Sequence, residues 1–162
     1  MAIQIEELTM EGFAPFGSYA QMVNPGATKF GAPPIEFFRD MVQLELGQGA
    51  PSFSVCRVEP RPLLIDITEY HSRTGEGILP LDADVLLHFA TATGSGAVPE
   101  TFRVFRVPCG TFVAIRPGVW HHAPFALAER AANVLIVLPE RTYANDCVVL
   151  RLEKPLEITP PR

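Results

Sequence analysis

Gly110-Thr-Phe-Val-Ala-Ile-Arg-Pro-Gly-Val-Trp-His-His-Ala-Pro-Phe125 is the stretch on which the fold turns. Thr111 to Ile115 is an apolar run of strand length, rich in β-branched and aromatic side chains. Arg116-Pro117-Gly118 then ends it in a tight turn, since proline fixes φ and lacks an N–H while glycine accepts turn conformations that other residues resist. His121 follows three residues past that glycine. The stretch reads as strand, turn and a histidine delivered at a defined point.

The same grammar runs outward in both directions. The 162 residues include 16 prolines and 12 glycines, and the proline share is roughly twice the usual 5%. Such punctuation excludes long helices and favours many short strands. Apolar runs of strand length occur at Phe37–Leu46, Ser52–Val58, Leu63–Tyr70, Val85–Thr91, Thr101–Val107, Thr111–Ile115, Asn133–Leu138 and Val148–Leu152. Gly47-Gln-Gly, Leu79-Pro-Leu-Asp, Gly94-Ser-Gly, Pro108-Cys-Gly and Arg116-Pro-Gly separate them. One short helix is expected where Thr9 caps a turn containing Glu11 and Phe13, before Pro15 and Gly17 stop it. About ten short strands need a sandwich or a barrel to hide their edges. The expectation is a single, mainly β domain over residues 1–162, with Pro155–Arg162 as a surface tail.

Charge narrows the partners. The net charge is −5, lysine occurs only at Lys29 and Lys154, and no basic run interleaves with aromatics. A phosphate-reading surface needs such a run, so nucleic acid is not an expected partner. No apolar stretch approaches the roughly 20 residues of a membrane span. The amino terminus carries Glu6, Glu7 and Glu11 without a basic region, so no secretory leader is read there and a cytoplasmic location is expected. Cys56, Cys109 and Cys147 are odd in number and widely spaced, which fits buried, reduced thiols better than a disulfide framework or a thiolate zinc site.

Chemistry concentrates in two segments. In Ile67-Thr-Glu-Tyr-His-Ser-Arg-Thr-Gly-Glu-Gly-Ile-Leu-Pro-Leu81, Glu69 and His71 lie two apart. In a strand both therefore point to one face, and the glycine-rich turn that follows brings Glu76 back toward them. His121 of the second segment completes a four-ligand set of Glu69, His71, Glu76 and His121. Imidazole and carboxylate without thiolate suit one divalent metal such as nickel, manganese, iron or zinc, with a position left for substrate. The bland alternative makes His71 and His121 satisfied core histidines and puts the glutamates on a solvated face. His122, directly after His121, points to the opposite face; Trp120 reads as a packing anchor, and His88 as a core histidine or a site contribution.

These two segments resemble the paired motifs of the cupin superfamily, a double-stranded β-helix or jelly-roll barrel. Gly110, Gly118 and His121 keep the second motif's spacing, with the proline one place late at Pro117 and Phe125 in place of the usual asparagine. In the first motif Glu69 replaces one histidine, while His71 and Glu76 hold theirs. Within cupins the chain is similar to the ureidoglycolate lyase family, on Phe16-Gly17, Ser54-x-x-Arg57-x-x-Pro60, Glu69-x-His71 with Ile78-Leu-Pro80, Val119-Trp-His-His122 with Pro124, and Asn145-Asp-Cys147.

The resemblance implies cleavage of ureidoglycolate to glyoxylate and urea in allantoin breakdown, a small carboxylated substrate and a homodimer. It implies His121, Glu76 and His71 as catalytic residues, with His121 or Glu76 moving protons. Arg57 or Arg116 would bind the substrate carboxylate bidentately, with His88 also toward the substrate. Two other readings stay open here: another cupin enzyme, a metal-dependent isomerase or dioxygenase on a small carboxylate, or a non-catalytic cupin that binds a small acid.

Overall fold

A computed structural model describes residues 2–91, 93 and 96–160. In chain order the elements are β1 (Ala2–Glu7), α1 (Met10–Phe13), β2 (Gly17–Gln21), β3 (Phe30–Ala32), β4 (Ile35–Phe37), β5 (Pro51–Val58), β6 (Leu64–Tyr70), β7 (Glu76–Pro80) and β8 (Val85–Phe89). A 3₁₀ turn at Pro99–Thr101 leads to β9 (Arg103–Val107), β10 (Thr111–Ile115), β11 (Phe125–Ala126), β12 (Ala132–Pro139), α2 (Thr142–Asn145) and β13 (Val148–Thr159). The mainly β expectation holds. So does the short helix: Thr9 accepts the N–H of Gly12 at 3.0 Å and buries Phe13 behind it.

Two sheets carry the molecule, in the orders β2-β10-β7-β12-β5 and β11-β8-β9-β1-β13-β6, beside a small β3-β4 hairpin. From β5 to β8 the chain changes sheet at each strand, and it crosses again at β10 and β12, which is the winding of a jelly roll. The expected closed barrel is realised as two facing sheets, for among the described residues no continuous ladder runs from one into the other. Ile78, Val113 and Val134 of the first sheet meet Val85, Leu87, Phe89 and Phe105 of the second in one core, closed at one end by Phe13 and Phe16.

A second core lies on the other face of the six-stranded sheet. Because side chains alternate along a strand, β8 sends Val85, Leu87 and Phe89 to the first core and Leu86 to the second. Strands β1 and β13 of the same sheet contribute Ile3, Leu156 and Ile158 to that second core, against Trp120 and Phe125. Here the structure corrects the expected tail. Residues 155–159 continue β13, pairing Glu157–Thr159 in parallel with Ala2–Gln4, and the alternation Leu156-Glu157-Ile158 buries both apolar residues. Pro155 sits where the β13–β6 register shifts, which a strand tolerates because a bulge needs no ladder N–H there. Residues 161–162 lie outside the described residues, as does most of the Gly94-Ser-Gly turn.

The expected strand Phe37–Leu46 is also corrected. It ends at Phe37, and residues 38–50 run as an irregular strap with Asp40 at positive φ. The strap is held by Glu45, whose carbonyl accepts the Gly75 N–H at 2.6 Å, and by Thr74 Oγ1, which accepts the Gly47 N–H. Its apolar residues cover β7 from outside: Leu44 packs so closely over Gly77 that a Cβ there would meet it at 3.0 Å.

Candidate active site

Between β11's neighbour β8 and the edge strand β6 lies the segment 119–121, attached by backbone bridges on both sides. His121 exchanges hydrogen bonds with Glu69 at 2.6 and 2.8 Å, and Trp120 does so with Ala90 at 2.9 and 3.0 Å. The turn before it depends on Gly118, at φ +81°, where a side chain would be strained; its N–H donates to the His71 carbonyl at 2.7 Å. Alternation then turns His121, Glu69 and His71 toward Glu76, the first residue of β7.

The predicted ligands are thus brought together. His71 Nε2 lies 3.1 Å and His121 Nε2 3.0 Å from the same atom, Glu76 Oε2. His71, Glu76 and His121 are buried and Glu69 is half-buried at the edge. Each imidazole gives its other nitrogen to a carbonyl: His71 Nδ1 to Asp146 at 2.6 Å, His121 Nδ1 to Val119 at 2.9 Å. A carbonyl only accepts, so both rings carry hydrogen at Nδ1 and present Nε2 to the carboxylate. Two neutral Nε2 lone pairs facing an ionised oxygen would repel; a proton or a cation has to sit among them. Glu69, His71 and His121 also place one ligand atom each within 4.8 Å of one another. Two oriented imidazoles and carboxylate oxygen therefore fit a divalent first-row metal.

Electrostatics follow from the same contacts. Burial pushes the Glu76 carboxyl up, but the His121 charge and hydrogen bonds from both histidines hold it down at about 2. Burial pulls His121 down, yet the Glu76 carboxylate beside it outweighs that and raises its pKa. At the edge, Cys147 donates its thiol hydrogen to Glu69 Oε2 at 3.3 Å, and burial together with the Glu69 charge pushes the thiol up to about 12. It is a neutral donor at physiological pH.

Several supporting residues lie outside the predicted set. The Asp146 carboxylate accepts from Ser72 N and Oγ and from Arg73 N at 2.6–2.9 Å, fixing the loop after His71 while its carbonyl orients that ring. Tyr143 turns its ring edge to His71, centroids 6.1 Å apart. Arg61 donates to the carbonyls of Ala123 and Pro124 and lies over the Phe125 ring, holding the segment that leaves His121. The Asn145-Asp-Cys147 string was the sequence signal for two of these.

Three predicted substrate contacts are not brought to the cluster. Arg57 is exposed and pairs with Glu59, because β5 turns Cys56 and Val58 inward and Arg57 out. Arg116 bends back to donate to the Ala14 carbonyl at 2.6 Å, tying β10's end to α1. His88 is buried in the second core, on the face of β8 opposite Leu87 and Phe89. A surface hollow of about 840 Å³ does not contain the cluster either; it is bordered by Arg73, Thr74, Thr142, Asn145 and Asp146, outside the loop that backs His71.

Comparison with known proteins identifies the family. A family model described as ureidoglycolate lyase matches residues 1–159. The chain is 30% identical over 139 residues to a ureidoglycolate lyase from Burkholderia cepacia, covering 83% of this chain and 78% of that one. It is 31% identical over 137 residues to the one from Rhodobacter capsulatus, covering 82% and 84%. Among solved structures it is similar to the oxalate decarboxylase of Bacillus subtilis, with a TM-score of 0.45 and 13% identity over 64% of this chain; it spans only 24% of that protein's length. A whole-chain family match, joined to relatives about 30% identical over most of their own length, makes this protein a lyase that belongs to the ureidoglycolate lyase family.

Proposed function

We propose that the protein cleaves ureidoglycolate to glyoxylate and urea, and that the His71–Glu76–His121 cluster with Glu69 at its edge is where it does so. The observation that carries this is the convergence of two tautomer-locked Nε2 atoms on one buried carboxylate oxygen, beside a second carboxylate that reaches the edge. The substrate is a hemiaminal whose carbon bears a hydroxyl, a carboxylate and a ureido nitrogen. Its cleavage moves one proton from oxygen to nitrogen as the carbon–nitrogen bond breaks, so a single group that takes the first proton and returns it to the departing nitrogen suffices.

A divalent cation such as manganese, iron, nickel or zinc, held by Glu69, His71 and His121, would polarise the substrate's hydroxyl and carboxylate oxygens as a Lewis acid. With Arg57 and Arg116 turned away, no arginine of the predicted pair competes for that carboxylate. The chain itself orients and handles the proton. Asp146 and Val119 keep both rings in the right tautomer. Glu76 is buried and aimed at the same point, which places its Oε2 to take the hydroxyl proton and deliver it to the leaving nitrogen. Cys147 steadies the Glu69 carboxylate through its hydrogen bond.

Racemic ureidoglycolate, with glyoxylate followed by a coupled reductase, tests the reading. Turnover above spontaneous decay is expected, together with a stoichiometric metal in elemental analysis. No rate above decay with manganese, iron, nickel or zinc supplied would overturn it.

The wider setting belongs to the same proposal. Such an enzyme acts in allantoin breakdown in the cytoplasm, where the three unpaired cysteines suit a reducing compartment. A homodimer is supported by β5, a sheet-edge strand that turns Phe53 and Val55 to solvent at 68% and 61% exposure. Sedimentation velocity reads one chain or two directly.

A further inference from the structure

The strand pair that presents Glu69 and His121 to the cluster is backed, on its other face, by a chain of buried hydrogen bonds. Thr68 Oγ1 lies 3.1 Å from the His121 carbonyl oxygen, and His88 Nε2 lies 3.3 Å from Thr68 Oγ1. The carbonyl only accepts, so the threonine spends its one hydrogen there and must accept from His88 Nε2–H. That fixes the tautomer of His88 and leaves its Nδ1 as a bare acceptor. Among the described residues Nδ1 has no partner. All three residues are sealed from solvent, at 0%, 1% and 2% exposure for Thr68, His88 and His121.

The surroundings make this arrangement costly. Leu86, Ala90, Phe102 and Phe125 form an apolar second core, with the Phe102 and Phe125 rings 5.7 and 6.4 Å from the imidazole. A buried nitrogen without a partner destabilises the fold, and leucine would fill the place without that cost. Burial, with the positive groups His122, His121 and Arg61 around it, keeps His88 neutral, so it does not earn its place as a charge. What it supplies is one N–H at a set position.

The recipient is a weakly held piece of backbone. Residues 119–121 belong to no extended ladder and are attached by one bridge to Glu69 and one to Ala90. The His121 carbonyl, already bonded to the Glu69 N–H, takes a second donor from the Thr68 side chain. We infer that Thr68 and His88 are positioning residues: they peg the His121 carbonyl and so keep its Nε2 in line with Glu76 across the strand. This rests on the assignment of His121 to the active site. A displacement near 1 Å in such a site can cost about a hundredfold in rate.

The test uses two pairs of variants in the full chain, read by kinetics on ureidoglycolate, by melting temperature and by ¹⁵N NMR of the histidine rings. Thr68→Val keeps the β-branched shape and removes the hydroxyl; Thr68→Ser keeps the hydroxyl. His88→Leu removes the N–H; His88→Gln offers one at a similar reach. Expected is a loss of kcat of about ten- to a hundredfold in Thr68→Val and His88→Leu, with KM within about twofold. His88→Leu should melt no lower than wild type, and Thr68→Ser and His88→Gln should recover most of kcat. The His121 ring signals should move in the two defective variants while those of His71 stay.

Unchanged kcat in both Thr68→Val and His88→Leu would overturn the inference. So would Thr68→Ser as defective as Thr68→Val, since packing would then explain the loss. Should Thr68→Val not fold, His88→Leu and His88→Gln carry the same comparison. If the wild-type protein has no turnover, the functional reading fails by itself, and the ring signals still decide the positioning: movement of the His121 signals in Thr68→Val but not in Thr68→Ser supports it, and no movement overturns it.

Discussion

The two faces of the pair formed by β6 and residues 119–121 differ in how their polar atoms are answered. Toward the cluster, each ring of His71 and His121 meets a carbonyl at one nitrogen and Glu76 at the other, and the Glu69 carboxylate meets Cys147. Toward the second core, the Trp120 indole N–H and His88 Nδ1 have no partner among the described residues, although both are buried in apolar surroundings. One backbone alternation feeds both faces: Glu69 and His121 go one way, Thr68 and Trp120 the other. The lesson is that the second-core face carries two unpaired buried atoms at a cost, and can influence the cluster face only through the position of the backbone between the two faces, which Thr68 and His88 Nε2 contact.

The largest effect that would break the comparison comes from the cluster face. Glu76→Gln is expected to lower kcat by about 10²–10⁴-fold while keeping bound metal, because it removes a proton acceptor outside the Glu69–His71–His121 ligand group. His121→Ala should lose both kcat and metal. Steady-state kinetics with elemental analysis separates the two, and equal metal loss in both would merge Glu76 into the ligand set.

A smaller and different effect is expected from the outer cover of the second core. Ile158, buried on β13, packs there beside Leu156 and Ile3. Ile158→Ala should cost about 2–4 kcal/mol of stability in denaturant unfolding and leave kcat unchanged below the melting transition. A loss of kcat at full folding would mean that the second core controls the site as a whole and not through Thr68 and His88.

The smallest effect lies at the sheet's rim. Asp84 accepts the Cys109 N–H at 2.9 Å and the Arg106 guanidinium at 2.6 Å. Those contacts, the Cys109 bond first, hold its carboxyl below the ordinary 3.8 against a partial rise from burial. A folded-state pKa depressed in this way contributes stability above the ordinary value, and the contribution is lost as pH falls through it. Asp84→Asn should therefore lower stability slightly at pH 7, by no more than about 1 kcal/mol at a site open to solvent, and the difference should shrink as pH falls below the ordinary carboxylate value and vanish once the folded carboxyl is itself protonated. A difference that persists there would point to lost packing.

Much of the site was legible because its signals are local. Glu69 and His71 share a face by the two-residue period, Gly118 demands a turn three residues before His121, and the glycine-rich turn returns Glu76. The arginines were illegible for the complementary reason. A strand's residues face in or out according to which sheet it joins, and at Arg57 only the pairing of β5 with β12 settles that the side chain leaves the core. His88 falls to the same parity on a strand buried on both faces, whose unbroken apolar run hides which side is which. The terminal strand was expected over Val148–Leu152, but its continuation to Thr159 was missed because Pro155 reads as a stop, whereas tertiary pairing with β1 tolerates it at a bulge.

By itself the sequence determined that the chain is built of short strands, since its prolines and glycines leave no room for long helices, and that Glu69, His71 and Glu76 belong together, since period and turn geometry act over a few residues; His121, far along the chain, was joined to them only through the resemblance of the two segments to paired motifs. Only the tertiary structure decided which atoms meet, which tautomer each histidine holds, and that Asp146, Cys147, Thr68 and His88 support the cluster. Those partners come from strands and loops remote in the chain, and their contacts depend on register and sheet order, which no local propensity encodes.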